Sequence, residues 1–251
     1  MSAGFLRRVS REISDLTQKN LLRTLDARRS RQGGRIEIDG RELINFCSND
    51  YLGMSSEEAV IQRVSDEVKR FGVGSGSASL LSGRSTLHAE LEKKLARFMG
   101  TESALIFSSG YLANTGVIPA LMGRKDFIFH DKLNHASLID GVLASKAAQK
   151  RYPHGEIPDF AVSASRNCEV KMIVTESVFS MDGDLVDLGS LLSSVLENES
   201  VLYVDDAHGF GIVGKGKGAA GILGRGSQLP SSVLVMITFG KALGSVGAAL
   251  L

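Results

Sequence analysis

Four polar clusters stand directly after short apolar runs, and their side chains are of the kinds that do chemistry. Residues 172–175 (MIVT) lead into Glu176-Ser177-Val178-Phe179-Ser180-Met181-Asp182-Gly183-Asp184, and residues 201–204 (VLYV) into Asp205-Asp206-Ala207-His208-Gly209. Residues 233–237 (VLVMI) lead into Thr238-Phe239-Gly240-Lys241-Ala242-Leu243-Gly244, and residues 104–107 (ALIF) into Ser108-Ser109-Gly110-Tyr111. The last cluster opens a helical run. It reads either as an ordinary strand-to-helix loop or as an anion seat, because the free N–H groups and dipole of a helix start suit a phosphate. A single lysine between small residues is usually a solvated charge. A lysine, an aspartate, an imidazole and a phosphate seat in series point instead to pyridoxal phosphate (PLP). Its aldehyde needs a lysine, and a carboxylate beside the ring nitrogen keeps that nitrogen protonated, so that the ring takes up electrons. An imidazole can bond the ring hydroxyl or stack on the ring.

Competing chemistries fit less well. Gly209-Phe210-Gly211-Ile212-Val213-Gly214 matches G-x-G-x-x-G after a strand, but the dinucleotide fingerprint requires a helix next and an acid about 20 residues on. Lys215-Gly216-Lys217-Gly218 follows instead, and no Asp or Glu occurs after Asp206. Gly72-Val73-Gly74-Ser75-Gly76-Ser77 fails the same spacing, and no G-x-x-x-x-G-K-[ST] is present. His130 and His135 are five apart without a convincing third metal ligand. Gly74-Ser75-Gly76-Ser77-Ala78 falls short of the G-x-S-x-G elbow of a serine hydrolase.

The elements that must position these clusters alternate. Arg35 to Phe46 reads as a hairpin around Asp39-Gly40, a pair favoured in type I′ turns. Ser55-x-x-Glu58 reads as a capping box opening a helix that Gly72 ends. Leu87, Leu91, Leu95 and Phe98 mark a second helix closed by Gly100. The four apolar runs, with residues 127–129 (FIF), are too short for buried helices and suit buried strands. Helical stretches near 111–122, 136–148 and 188–197 fall between most of them, which indicates a mainly parallel sheet covered on both faces. Ligands of such sheets bind beyond the carboxyl ends of the strands, where the four clusters lie.

Composition fits this class. Of 251 residues, 43% are hydrophobic and 23% charged, with a net charge of +1, which excludes disorder and argues against an electrostatic nucleic-acid binder. Cys47 and Cys168 make no disulfide framework and no C-x-x-C, as expected in a reducing compartment. No run of 18 apolar residues suggests a membrane span. The first 35 residues are rich in arginine. A transit peptide would avoid the acids Glu12, Asp15 and Asp26, and a surface helix with an apolar stripe at Leu21, Leu22 and Leu25 is the plainer reading. A cytoplasmic location follows by default.

Seven motifs in order resemble the α-oxoamine synthases: NFCSNDYLG (45–53), GSGSASLLSG (74–83), SSGYLANTG (108–116), LNHASLIDG (133–141), ESVFSMDGD (176–184), VDDAHGFG (204–211) and TFGKALG (238–244). The resemblance runs from about Leu25 to Leu251. It implies an α/β chain of PLP-dependent transferase fold type I, with a mainly parallel sheet sandwiched by helices. It divides the chain into an N-terminal helical arm with the start of the hairpin (1–45) and a large PLP-binding domain (46–251). It further implies Lys241 as the Schiff-base lysine and the base for the amino-acid α-proton. Asp205 would face the pyridine nitrogen, His208 the ring hydroxyl and His135 the ring face. Gly110, Tyr111, Ser180 and Thr238 match further cofactor contacts, and Asn49 lies in a motif lining the substrate pocket. An N-terminal arginine that contacts substrate in the family has no clear counterpart here.

The family condenses an amino acid with an acyl thioester of CoA or acyl carrier protein, as a homodimer acting on small molecules. Asp205-Asp206-Ala207-His208-Gly209, where a glycine-using branch typically has DDSHA, implies L-alanine and a pimeloyl thioester, the reaction of biotin synthesis. Glycine C-acetyl transfer, another reaction of the family, or an inactive PLP-binding remnant are the alternatives. Family members continue past the lysine into a small C-terminal domain that is missing here. A strand begun at Gly247 expects partners and covering elements, so the expectations are apolar surface left exposed with an open sheet edge, poor solubility or oligomerisation, and no condensation by these residues alone.

Overall fold

The computed structural model describes residues 2–164, 166–224 and 228–251. The chain divides into two compact units, one up to Phe46 and one from Cys47 to Leu251. In the first, helix α1 (Ala3–Gln18) is capped by Ser2, whose side chain accepts from Phe5 N–H. Asn20, at a φ of 53°, lies just beyond it. The leucine stripe expected at Leu21, Leu22 and Leu25 therefore falls beyond the helix, in irregular chain. Strands β1 (Arg35–Ile38) and β2 (Arg41–Ile44) pair antiparallel as expected. Asp39 and Gly40 between them both take the positive φ that a type I′ turn demands.

The second unit begins with α2 (Glu58–Phe71), ended by Gly72. The capping box expected at Ser55 is not made: Glu57 is the N-cap, and Ser55 donates its hydroxyl to Asp50 Oδ2 at 2.6 Å. A box forms instead at α3 (Thr86–Met99), where Ser85 caps the helix and its N–H donates to His88 Nδ1. The rest runs β3 (Leu105–Phe107), α4 (Gly110–Leu121), β4 (Phe127–Asp131), α5 (Ala136–Ser145), β5 (Ala148–Tyr152) and a short α6 (Ala161–Ala164). It continues with β6 (Lys171–Glu176), α7 (Leu188–Glu197), β7 (Val201–Asp205), α8 (Ala219–Leu223), β8 (Val233–Thr238) and β9 (Ala248–Leu250).

Seven strands form one sheet in the order β3-β9-β8-β7-β6-β4-β5. Neighbours from β8 to β5 are parallel, and β9 alone runs against the others. The strand expected from Gly247 finds its partners: β9 is hydrogen-bonded on both sides, to β3 and β8, so it does not form the open sheet edge expected there. Strand β5 escapes sequence reading: Ala-Gln-Lys-Arg-Tyr is polar because it is the sheet edge, with its central residues exposed.

Period-2 alternation sends successive side chains to opposite faces. Ile173, Leu202, Val204, Val235 and Ile237 pack under α3, α7 and α8, while Met172, Val174, Tyr203 and Met236 pack under α4 and α5. The result is a helix–sheet–helix sandwich. Register aligns Glu176 with Asp205 and Asp205 with Met236, so β6 and β7 finish level at their carboxyl ends and β8 runs two residues further, to Thr238. Among the described residues no helix is long and apolar enough to cross a membrane, and no metal-binding cluster is present.

Candidate active site

Lys241 and His208 meet at these strand ends, with Lys241 Nζ 2.8 Å from His208 Nε2. His208 Nδ1 lies 2.7 Å from Tyr51 Oη, and Tyr51 donates to Asn49 Oδ1 at 3.2 Å. One proton assignment satisfies all three bonds: Nζ donates to Nε2, Nδ1–H to Tyr51, and Tyr51 to Asn49. The imidazole is then neutral. Its pKa is pushed down to about 4 by burial and by the nearby charges of Lys241 and His135. Burial also lowers the pKa of Lys241, against the pull of Asp205 and Glu176. A lysine held low in this way offers a free amine more readily than a surface lysine.

Asp205 ends β7 and is buried. Its Oδ2 accepts from Asn114 Nδ2 at 2.7 Å and its Oδ1 from Ala207 N–H at 3.0 Å. Burial raises its pKa, and these two donors, followed by Lys241 and His135, oppose the rise. Asn114 is fixed in turn by Tyr203, whose hydroxyl donates to Asn114 Oδ1 at 2.8 Å, and by Ser137. Glu176, at the end of β6, accepts His135 N–H at 2.6 Å and is pushed up to about 7 by burial and by Asp205.

His135 is the N-cap of α5, and its Nδ1 accepts Ser137 N–H, which leaves Nε2 on an exposed ring. Gly110 opens α4, and a Cβ there would come within 3.9 Å of Thr238 Cβ, so that helix start borders the end of β8. Its first-turn N–H groups have no intrahelical acceptors. The Tyr111 hydroxyl donates to Asp140. Thr238 Oγ1 donates to Gly247 O at 3.1 Å. Ser180 stands exposed on the loop after β6, and no hydrogen bond among the described residues joins it to the cluster. The fold thus brings Lys241, His208 and Asn49 into one hydrogen-bonded chain and sets Asp205 and His135 within electrostatic reach. It does not bring in Ser180.

Sequence reading assigned no role to Tyr51, Asn114, Glu176 or Asp206, although all four lie inside the quoted motifs. Asp206 is fully buried. Its Oδ2 accepts Ala219 N–H at 2.8 Å and its Oδ1 the Ser177 hydroxyl, and burial pushes it up to about 7. A Cβ on Gly209 would lie 2.2 Å from Oδ1 and one on Gly218 1.8 Å from Oδ2, so only glycines admit this carboxylate. It closes the loop that carries His208.

The donor set fits PLP. An amine, a buried carboxylate, an exposed imidazole and a twelve-residue helix opening on small residues gather at the carboxyl end of the sheet. The aminotransferase class I and II family matches residues 41–251. The chain is 49% identical over 240 residues to an 8-amino-7-oxononanoate synthase of Herminiimonas arsenicoxydans, covering 94% of this chain and 62% of that protein. It is 44% identical to one of Geobacter sulfurreducens, covering 96% and 62%. It therefore spans about 62% of the length of these curated relatives. A serine palmitoyltransferase of S. paucimobilis, solved with bound PLP–myriocin, superposes with a TM-score of 0.85 at 28% identity, over 97% of this chain and 64% of that one. An 8-amino-7-oxononanoate synthase of Francisella tularensis gives 0.65 at 30% identity, over 82% and 57%. These relatives bear out the resemblance to the α-oxoamine synthases and the fold, PLP-dependent transferase fold type I. The chain belongs to the aminotransferase class I and II family.

Proposed function

We propose that the chain holds PLP at Lys241 and supplies the cofactor cleft of an acyltransferase. The full reaction joins L-alanine to a pimeloyl thioester with loss of carbon dioxide and the thiol, giving 8-amino-7-oxononanoate. The observation that carries the reading is the pairing of Lys241 Nζ with His208 Nε2 at 2.8 Å beside buried Asp205. When bound, the cofactor supplies an aldehyde for an amine and a sink for the electrons of a carbanion.

The residues of the chain do the rest. Lys241, made less basic by burial, binds the cofactor and takes the α-proton of the amino acid. Asp205 would face the ring nitrogen, and its Asn114 and Ala207 bonds fix the carboxylate in place. Neutral His208, which holds Nζ at 2.8 Å, would contact the ring hydroxyl, and His135 would cover one ring face. The first turn of α4, at Gly110 and Tyr111, would seat the phosphate, with Thr238 and, from the exposed loop after β6, Ser180 as the further hydroxyls to contact it. Asn49 lines the substrate side. The same reading carries a homodimer in the cytoplasm that takes its acyl group from CoA or acyl carrier protein, without nucleic acid or membrane.

The test is to titrate the protein with PLP, reduce with borohydride and map the label. Label on Lys241, lost in Lys241→Ala, supports the reading; label elsewhere overturns it. A panel of alanine and glycine against pimeloyl, acetyl and succinyl thioesters, run on the full-length protein, then decides the substrates. Preference for glycine with acetyl-CoA would overturn the alanine–pimeloyl assignment.

A further inference from the structure

His154 lies between two carboxylates at the same end of the sheet, outside the cluster described above. Its Nδ1 is 3.1 Å from both oxygens of Asp131, which ends β4, and its Nε2 is 2.8 Å from Asp184 Oδ2. Asp184 belongs to the loop between β6 and α7. That loop is folded on itself: Phe179 N–H donates to Asp184 O at 3.1 Å, Gly183 N–H to Phe179 O at 2.9 Å, and Val178 bridges Leu185. The Phe179 ring meets the imidazole edge-on at 4.4 Å. At the loop tip stand exposed Ser180 and Met181.

Carboxylate oxygens accept hydrogen bonds, whereas a neutral imidazole donates from one nitrogen only. Both ring nitrogens of His154 face carboxylates, so only the imidazolium can donate to both. We propose that His154 is a positioning residue: as imidazolium it clasps the loop carrying Ser180 to the end of β4 through Asp131 and Asp184, and on losing its proton it releases the loop. The clasp goes beyond the PLP reading. Only its consequence for Ser180 rests on that reading.

The charges acting on the ring are Asp131 from β4 and Asp184 from the loop, and Glu176 on β6 is within electrostatic reach of Asp131. Burial pulls the His154 pKa down, but the bonds and charges of Asp184 and Asp131 outweigh it and leave the pKa raised. The clasp is therefore fully made below the ordinary histidine value and is lost as pH rises through the raised one. The Asp184 end should open first, since its side chain is 40% exposed against 1% for Asp131.

Amide hydrogen exchange of segment 177–187, corrected for intrinsic rates and read at pH 6 and pH 8.5 without cofactor, tests this. In the unmodified protein, protection of that segment should fall on the order of tenfold between the two pH values, the worth of one charge-assisted hydrogen bond. Segments of β6 and β7 should not change. His154→Gln, which keeps a donor for one carboxylate only, should show the low protection at both pH values. Asp184→Asn should keep protection at both, because an amide can donate to a neutral imidazole nitrogen or accept from a charged one. That rescue by the neutral isostere, with the pH step removed, is not expected of a residue that merely fills space. Protection independent of pH in the unmodified protein, or a pH step that survives in Asp184→Asn, would overturn the proposal. Asp184→Asn carries the test alone if His154→Gln fails to fold. PLP uptake at Lys241, measured separately, bears on the cofactor reading and not on the clasp.

Discussion

Asp206 is buried, and among the described residues its oxygens accept from the Ser177 hydroxyl and Ala219 N–H and meet no cation; its pKa stands at about 7 against an ordinary 3.8. Burial is the main cause. The native state therefore binds this proton over a pH range in which the unfolded chain has already released it. Stability falls with rising pH wherever the native state binds more protons, so the loss begins near the unfolded value and is complete above the folded one. Integrating the two titrations between pH 5 and pH 8 gives about 3 kcal/mol of stability lost through this one group. Asp206→Asn keeps the shape and an acceptor for Ala219 N–H but cannot ionise. Urea unfolding of both proteins at pH 5 and pH 8 isolates the effect. Glu176, also raised to about 7, slopes the same way in both and cancels. The stability of Asp206→Asn relative to the unmodified protein should therefore rise by about 3 kcal/mol from pH 5 to pH 8. A difference between the two proteins that is the same at both pH values would refute the reasoning.

Gly218→Ala should destabilise by about 3 kcal/mol or more in urea unfolding, because the new Cβ would lie 1.8 Å from Asp206 Oδ2 on a residue with φ of 59°. Gly34→Ala, with nothing within 4 Å, should stay within about 0.5 kcal/mol. Asp205 and Glu176 hold the Lys241 pKa up against burial. Asp205→Asn should consequently move the pH midpoint of Lys241 acylation, followed by peptide mapping, to lower pH; an upward move would contradict the assignment.

Several features were legible in the residues themselves. Runs such as VLYV and VLVMI are short, apolar and branched, and period-2 alternation between two buried faces requires such strands wherever helices cover both sides. Asp39-Gly40 encodes its turn because few residues tolerate two successive positive φ angles. The polar clusters after those runs named an amine, a carboxylate and an imidazole together before any geometry was known, and the fold sets Lys241 against His208 and within the field of Asp205. Tertiary structure decided what depends on residues far apart in sequence. Ser55 looks like a helix cap, but the nearby carboxylate of Asp50 takes its hydroxyl, and local pattern cannot rank two competing partners. Strand β5 reads as polar because edge position is a property of the sheet, not of the segment. Two adjacent aspartates look alike in sequence. Folding turns Asp205 toward Asn114 and the lysine, and Asp206 toward Ser177 and two glycines, because successive residues leaving a strand face opposite sides. The perturbed acidity of both arises from burial, which only the packed chain supplies.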